Sequence, residues 1–199
     1  TRMRTRRLIR CQGCGLSDSL CVCSSLPVLA PATRIVILAH RVELAKSTNT
    51  GRLVARMLGE RAVLQLHDAE WQPELSSQGA YVLFPADDAQ PLEHVADRIQ
   101  TLIVPDGTWA QTRRLARKHP GCKDLPKVCL TDAPRSAYAL RRARLHGGLC
   151  TLEAVAHALR VLEGNTCADT LMTVFASWVE RALMVRAGAH AQPMPAPQF

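Results

Sequence analysis

Four cysteines in this chain sit close enough together to act as one chemical unit. Cys11, Cys14, Cys21 and Cys23 fall within thirteen residues, spaced as CxxC, then six residues, then CxC. In a reducing compartment such a set suits one tetrahedral Zn²⁺ better than disulfides. Gly13 and Gly15 lie inside the run, where a metal knuckle needs the backbone to turn tightly around its ion. Thiol redox chemistry is the alternative, and it is weaker because no βαβ pattern follows the CxxC. Four thiolates around a dication leave a net charge of about −2, which neighbouring arginines would offset. The remaining cysteines, Cys122, Cys129, Cys150 and Cys167, are scattered and read as small core residues or bystanders.

A second candidate is the acid in Leu102-Ile103-Val104-Pro105-Asp106-Gly107-Thr108-Trp109. An apolar, β-branched stretch ends there in a carboxylate, a glycine and a hydroxyl, and a basic segment follows. This is the pattern of a buried strand delivering Asp106 to the C-terminal edge of a sheet, where open α/β sheets bind ligands. The competing reading is an ordinary turn and helix cap, with Asp106 or Thr108 accepting backbone N–H bonds.

Charge supplies the third signal. The 199 residues carry a net charge of +8, and Arg2, Arg4, Arg6, Arg7 and Arg10 crowd the first ten positions. Further clusters lie at Arg113, Arg114, Arg117 and Lys118 and at Arg135, Arg141, Arg142 and Arg144. Basic groups spread this widely favour a polyanion, and RNA is the obvious one. Aromatic residues make up only 4% of the chain, so phosphate contacts should outweigh base stacking. No apolar run approaches the roughly 20 residues that span a bilayer, and no signal-peptide core opens the chain. The expectation is a soluble cytoplasmic protein without a membrane partner; oligomeric state is not legible.

The elements that must position these groups follow from hydrophobic period. Strands are expected at 34–39, 62–66, 80–84 and 101–104, with a short fifth at 127–130. Helices are expected at 51–58, from about Thr108 to Lys118, at 149–163 and at 169–185, the last two capped by Thr151 and Asp169. Residues 40–50 read as a loop. Alternating strands and helices predict an α/β fold, a mainly parallel sheet with helices on both faces. The organisation reads as a basic arm and zinc knuckle over 1–30, a main domain over 31–188, and a flexible, proline-containing tail over 189–199.

Five segments combine into something more specific. They are the knuckle, the loop Ser47-Thr48-Asn49-Thr50-Gly51-Arg52-Leu53, the strand end Leu83-Phe84-Pro85, the run Asp106-Gly107-Thr108-Trp109, and Tyr138-Ala139-Leu140-Arg141 with Leu149-Cys150-Thr151-Leu152-Glu153-Ala154. In this order, from about Cys11 to Leu162, the chain resembles the DTW-domain family. Two positions depart from the family pattern: His40-Arg41 stands where a histidine-proline pair is usual, and Cys150 where serine is common.

The resemblance implies a tRNA-uridine aminocarboxypropyltransferase, in which S-adenosylmethionine donates its 3-amino-3-carboxypropyl arm to uridine N3. It also implies a fold similar to the knotted SPOUT methyltransferases, which periodicity alone does not show. On that footing Asp106 takes the N3 proton or holds the cofactor's ammonium and aims its γ-carbon, with the first role slightly favoured. Gly107 lets the backbone approach the cofactor, and Thr108 and Trp109 open a helix facing it. Phe84, Pro85 and Leu149 would form an apolar slot for adenine, and Thr151 and Glu153 complete the cofactor set, Glu153 chiefly as a helix cap. Asn49, Arg52, Arg135 and Arg141 are the expected RNA contacts, and His40 reads as a satisfied strand-end histidine. The zinc would be structural, because a sulfonium is already a good leaving group. Two other functions stay open on the residues: an RNA methyltransferase using the same cofactor, and a non-catalytic, zinc-containing RNA-binding module.

Overall fold

Aliphatic runs build the sheet, and the order in which its strands are joined decides where its edge opens. The computed structural model describes residues 9–67, 78–140, 148–188 and 194–199. In chain order the elements are β1 (Arg34–Ala39), α1 (Arg41–Leu44), α2 (Gly51–Leu58), β2 (Ala62–Leu66), β3 (Ala80–Leu83), β4 (Gln90–Pro91), β5 (Thr101–Asp106), α3 (Trp109–Lys118), β6 (Lys127–Cys129), α4 (Thr151–Glu163) and α5 (Asn165–Arg186). They form a six-stranded sheet of order β2-β1-β5-β3-β6-β4. Every described pairing within this sheet is parallel.

Side chains alternate across β1, as a strand's two-residue period requires. Ile35 and Ile37 join α2, α4, α5 and the cysteine knuckle in one apolar cluster, while Val36 and Leu38 join Ile103, Phe84 and the α3 residues Leu115 and Ala116 in the other. The continuous apolar strands are thus explained by helices on both faces. The knuckle shares the larger core through Cys14, Leu16, Leu20 and Val22, all almost fully buried. Trp178 of α5, also fully buried, donates its indole N–H to the Cys14 carbonyl at 2.8 Å.

From β1 the chain passes through α2 to β2 on one side of the sheet, and from β5 through α3 to β6 on the other. The adjacent ends of β1 and β5 therefore form a topological switch point, where such sheets leave a crevice. Ala39 pairs with Asp106 across that point, and the His40 N–H donates to the Asp106 carbonyl at 3.1 Å.

Several boundaries move from where the pattern put them. β5 runs through Pro105 to Asp106 instead of stopping at Val104. The proline is tolerated because it lies past Val82–Ile103, the last rung to β3, so its missing N–H breaks no bond on that side. α4 starts at Thr151 with Cys150 as its cap residue, and the Cys150 N–H donates to Glu153 Oε2 at 2.8 Å; Thr151 is not the cap. α5 begins at Asn165, so Asp169 lies inside the helix and pairs with Arg160 at 2.6 Å instead of capping. The loop over 40–50 contains α1, and the two-residue β4 is too short to leave a pattern in the sequence. Of the expected tail, 189–193 lie outside the described residues. Beyond them the Met194 N–H donates to the Ser19 carbonyl and the Pro195 carbonyl accepts from Arg181.

Candidate active site and metal centre

Asp106 is delivered to the switch point by the apolar stretch of β5, and it arrives buried, at 3% exposure. Its two oxygens are each engaged. Oδ2 accepts from Asn49 Nδ2 and Oδ1 from the Thr151 hydroxyl, both at 2.5 Å. The carboxylate thereby ties the end of β5 to the loop before α2 and to the first residue of α4. Gly51 makes room for this junction: a Cβ there would meet Asn49 Oδ1 and Ile37 at 3.3 Å and Asp106 Oδ2 at 3.4 Å. The loop is held from a third direction by Tyr138, whose hydroxyl donates to the Thr48 carbonyl at 2.6 Å. Thr50 Oγ1 in turn accepts from the Leu152 N–H at 3.3 Å.

Asp106 does not cap α3. Thr108 does, accepting from the Gln111 N–H while Gln111 Oε1 accepts from the Thr108 N–H at 2.7 Å. Such a cap is worth about 1 kcal/mol, and it leaves the acid free of that duty. Trp109 follows at 54% exposure. Its ring stacks on Phe84 with centroids 5.2 Å apart, and the Arg113 guanidinium lies 5.8 Å from its centre. A large aromatic face left in water beside a switch point is a surface that a flat ring can cover.

The other expected site residues are distributed unevenly. Gly107 and Leu149 are half-buried, and Pro85 and Thr108 exposed. Glu153 is 1% exposed and fully engaged, accepting from Ser136 Oγ and the Ala137 N–H at 2.7 Å in addition to its own helix cap. Asn49, read as an RNA contact, places its amide on Asp106, and its Oδ1 accepts from the Arg52 N–H at 3.3 Å. Arg135 is exposed, whereas Arg141 and its neighbours to 147 lie outside the described residues, as do residues 1–8 of the arm. His40 Nδ1 accepts from the Val42 N–H at 3.3 Å, capping α1. Sequence reasoning assigned no role to Ser136 or to the Tyr138 hydroxyl. Their partners lie 17 and 90 residues away, so only the fold could reveal them.

The cysteine cluster passes a direct test of fit. Tetrahedral thiolates at about 2.3 Å from Zn²⁺ stand about 3.8 Å apart. Here the Cys11–Cys23 sulfurs are 3.6 Å apart, the Cys14–Cys21 sulfurs 3.7 Å, and all four lie within 4.8 Å of one another. Burial and the neighbouring thiolates of Cys21 and Cys11 push the Cys14 thiol up to about 11. Burial also raises Cys11, but the backbone N–H groups of Cys14 and Gly13 outweigh it and bring that thiol down to about 7. Cys23 is raised by burial and by Cys14. Without a cation the cluster resists holding several thiolates at once, and a dication reverses that penalty.

The two centres touch. Gly15 adopts φ +77°, and a Cβ there would stand 2.3 Å from the Ser47 carbonyl oxygen. The knuckle thus presses on the loop whose Asn49 holds Asp106.

Comparisons with known proteins agree on one family. The sequence profile of the DTW domain matches residues 8–183. A Drosophila melanogaster protein named tRNA-uridine aminocarboxypropyltransferase 2 is 32% identical over 169 residues, covering 78% of this chain and 67% of its own length. Proteins of the same name from Mus musculus and Macaca fascicularis are 27% identical over 212 residues and 30% over 174. The alignments cover 93% of this chain and 71% of the mouse protein, and 80% of this chain and 58% of the macaque protein. No solved structure matches the chain.

Proposed function

Because this chain belongs to the DTW-domain family, we propose that it transfers the 3-amino-3-carboxypropyl group of S-adenosylmethionine to N3 of a uridine in tRNA, releasing methylthioadenosine. The observation that carries the reading is the shared name of the relatives, each a tRNA-uridine aminocarboxypropyltransferase 2. The switch-point site with the buried Asp106 carboxylate at its strand end is consistent with that chemistry. The fold is proposed to be similar to the knotted SPOUT methyltransferases, and the protein to act in the cytoplasm on RNA. Among the described residues no helix is long and apolar enough to cross a membrane.

In this reading the co-substrate supplies a carbon already activated by a sulfonium, so the chain's work is positioning and charge. Phe84 and Trp109, with Pro85 and Leu149, cover the adenine, and the backbone of Gly107 and Thr108 borders the cofactor. Thr151 and Glu153 hold the walls of the site through Asp106 and the segment from Ser136 to Tyr138. Asp106 retains acceptor capacity, since an ionised carboxylate offers about four lone-pair sites. Its burial supports the role that needs only its charge, holding the ammonium and aiming the γ-carbon, over that of a base meeting uridine N3–H directly. Asn49 then acts on the substrate by positioning Asp106, and Arg52 and Arg135 remain RNA contacts. The four cysteines hold a structural Zn²⁺.

The test is release of methylthioadenosine from S-adenosylmethionine with unmodified tRNA, together with the mass of the modified nucleoside. Transfer of the intact arm adds an aminocarboxypropyl group to uridine. S-adenosylhomocysteine as the by-product would establish methyl transfer instead, and absence of either product would leave the RNA-binding module.

A further inference from the structure

Behind the loop that holds Asp106 lies a small recess of about 50 Å³, bordered by Arg10, Ser47, Thr48, Leu140 and Arg186. It is formed where the knuckle, the loop and the end of α5 meet, and its two charged side chains come from opposite ends of the sequence. Both guanidinium groups are fixed in place by carbonyls. Arg10 Nη1 donates to the Gly15 carbonyl at 3.0 Å, and Arg186 Nη2 to the Leu140 carbonyl at 2.7 Å. An arginine has five N–H donors, so most remain for another partner. Among the described residues no acid borders the recess and neither arginine belongs to an ion pair.

Two uncompensated, pre-oriented guanidinium groups on one recess call for an anion, and their planar forks suit phosphate. The volume is far below that of pockets that enclose a whole small ligand, so the recess fits one charged group of a larger molecule. In the sequence, Arg10 directly follows the arginine-rich arm and Leu140 directly precedes Arg141 and Arg142; residues 1–8 of the arm, Arg141 and Arg142 lie outside the described residues. We propose that this recess is the seat of one internucleotide phosphate of the RNA substrate, held between Arg10 and Arg186. The proposal rests on the reading of the protein as a tRNA-modifying enzyme. It adds a fixed anchor beside the loop from Ser47 to Thr50, through which the RNA backbone is registered against Asp106.

The experiment measures equilibrium binding of unmodified tRNA to the full chain across a salt series, which needs no turnover. Log Kd against log salt counts neutralised phosphates, at about 0.7 to 0.9 per contact. Combining Arg10→Gln with Arg186→Gln should lower that slope by about 1 and weaken binding. Combining Arg10→Lys with Arg186→Lys should keep the slope, because charge is retained, while weakening affinity through loss of the fork. Arg34→Gln, exposed at the opposite edge of the sheet, should leave the slope unchanged. Should the double glutamine variant not fold, Arg186→Gln alone, at an exposed helix end, should still reduce the slope. An unchanged slope in the glutamine variants, or an equal reduction in Arg34→Gln, overturns the seat. A parent protein that binds with the expected slopes but forms no aminocarboxypropyl product overturns the proposed reaction and leaves the phosphate seat standing. Product formed with slopes insensitive to Arg10 and Arg186 does the reverse.

Discussion

The cysteine knuckle and the Asp106 junction are each a small knot of polar side chains in an apolar surround, but they are assembled in opposite ways. All four knuckle thiols come from thirteen consecutive residues. The donors on Asp106 lie 57 and 45 residues away, on a loop and on a helix that meet only when the sheet is complete. A local cluster can be organised by one ion with little help from the rest of the chain. A distributed junction has no such organiser and depends on every element that reaches it. The first should therefore fail all at once when its ion goes, and the second should fail in chemistry before it fails in fold.

The largest effect is expected from breaking the knuckle. Cys14→Ser should abolish binding of one Zn²⁺ per chain and cost more than about 4 kcal/mol of stability, since structural zinc contributes folding free energy directly. Metal analysis of reductant-treated protein and thermal unfolding read the two outcomes. Acidification should release the metal as well, because the thiols must be deprotonated to bind it. A parent protein without zinc would remove the comparison altogether.

Asp106→Asn comes next, and it acts on rate. The substitution preserves shape but turns one acceptor into a donor facing Asn49 Nδ2 or the Thr151 hydroxyl, at a cost of about 1–3 kcal/mol. Turnover should fall by about 10²- to 10⁴-fold with zinc content unchanged. Reduced cofactor affinity would mark Asp106 as the anchor, and retained affinity with lost turnover as the base. Near-normal turnover in the folded variant would reduce Asp106 to a structural tie.

Gly15→Ala sharpens the comparison, because it strikes a place where the two centres touch. Both the positive φ and the 2.3 Å approach to the Ser47 carbonyl forbid a Cβ. A strained backbone of this kind costs about 1–3 kcal/mol. If the loop is the part that yields, zinc should stay bound while turnover drops, a combination that independent centres would not give. Smallest is Tyr138→Phe, which deletes the bond to the Thr48 carbonyl at about 1 kcal/mol and should lower turnover modestly without changing metal content.

The difference in assembly also sets what could be read in advance. The strands of the sheet announced themselves because burial on both faces demands unbroken aliphatic runs, and 62–66 and 51–58 were placed with the bounds observed. The ends of α4 and α5 were misplaced because capping residues also serve elsewhere: Thr151 faces Asp106, and Asp169 faces Arg160. Asp106 was legible as a strand-end acid. Its burial and both its partners were not.

The sequence by itself determined the α/β class, the four-cysteine cluster and the acid at the end of β5, all carried by periods and spacings within a few residues. Tertiary structure alone decided that Asn49 and Thr151 converge on Asp106, that the knuckle presses on Ser47, and that Arg10 and Arg186 share a recess. The physical reason is that such contacts depend on the crossing order of the strands and the packing of α4 and α5 over them. No local pattern records that order, because each residue's chemistry is compatible with many partners and only the assembled core selects one.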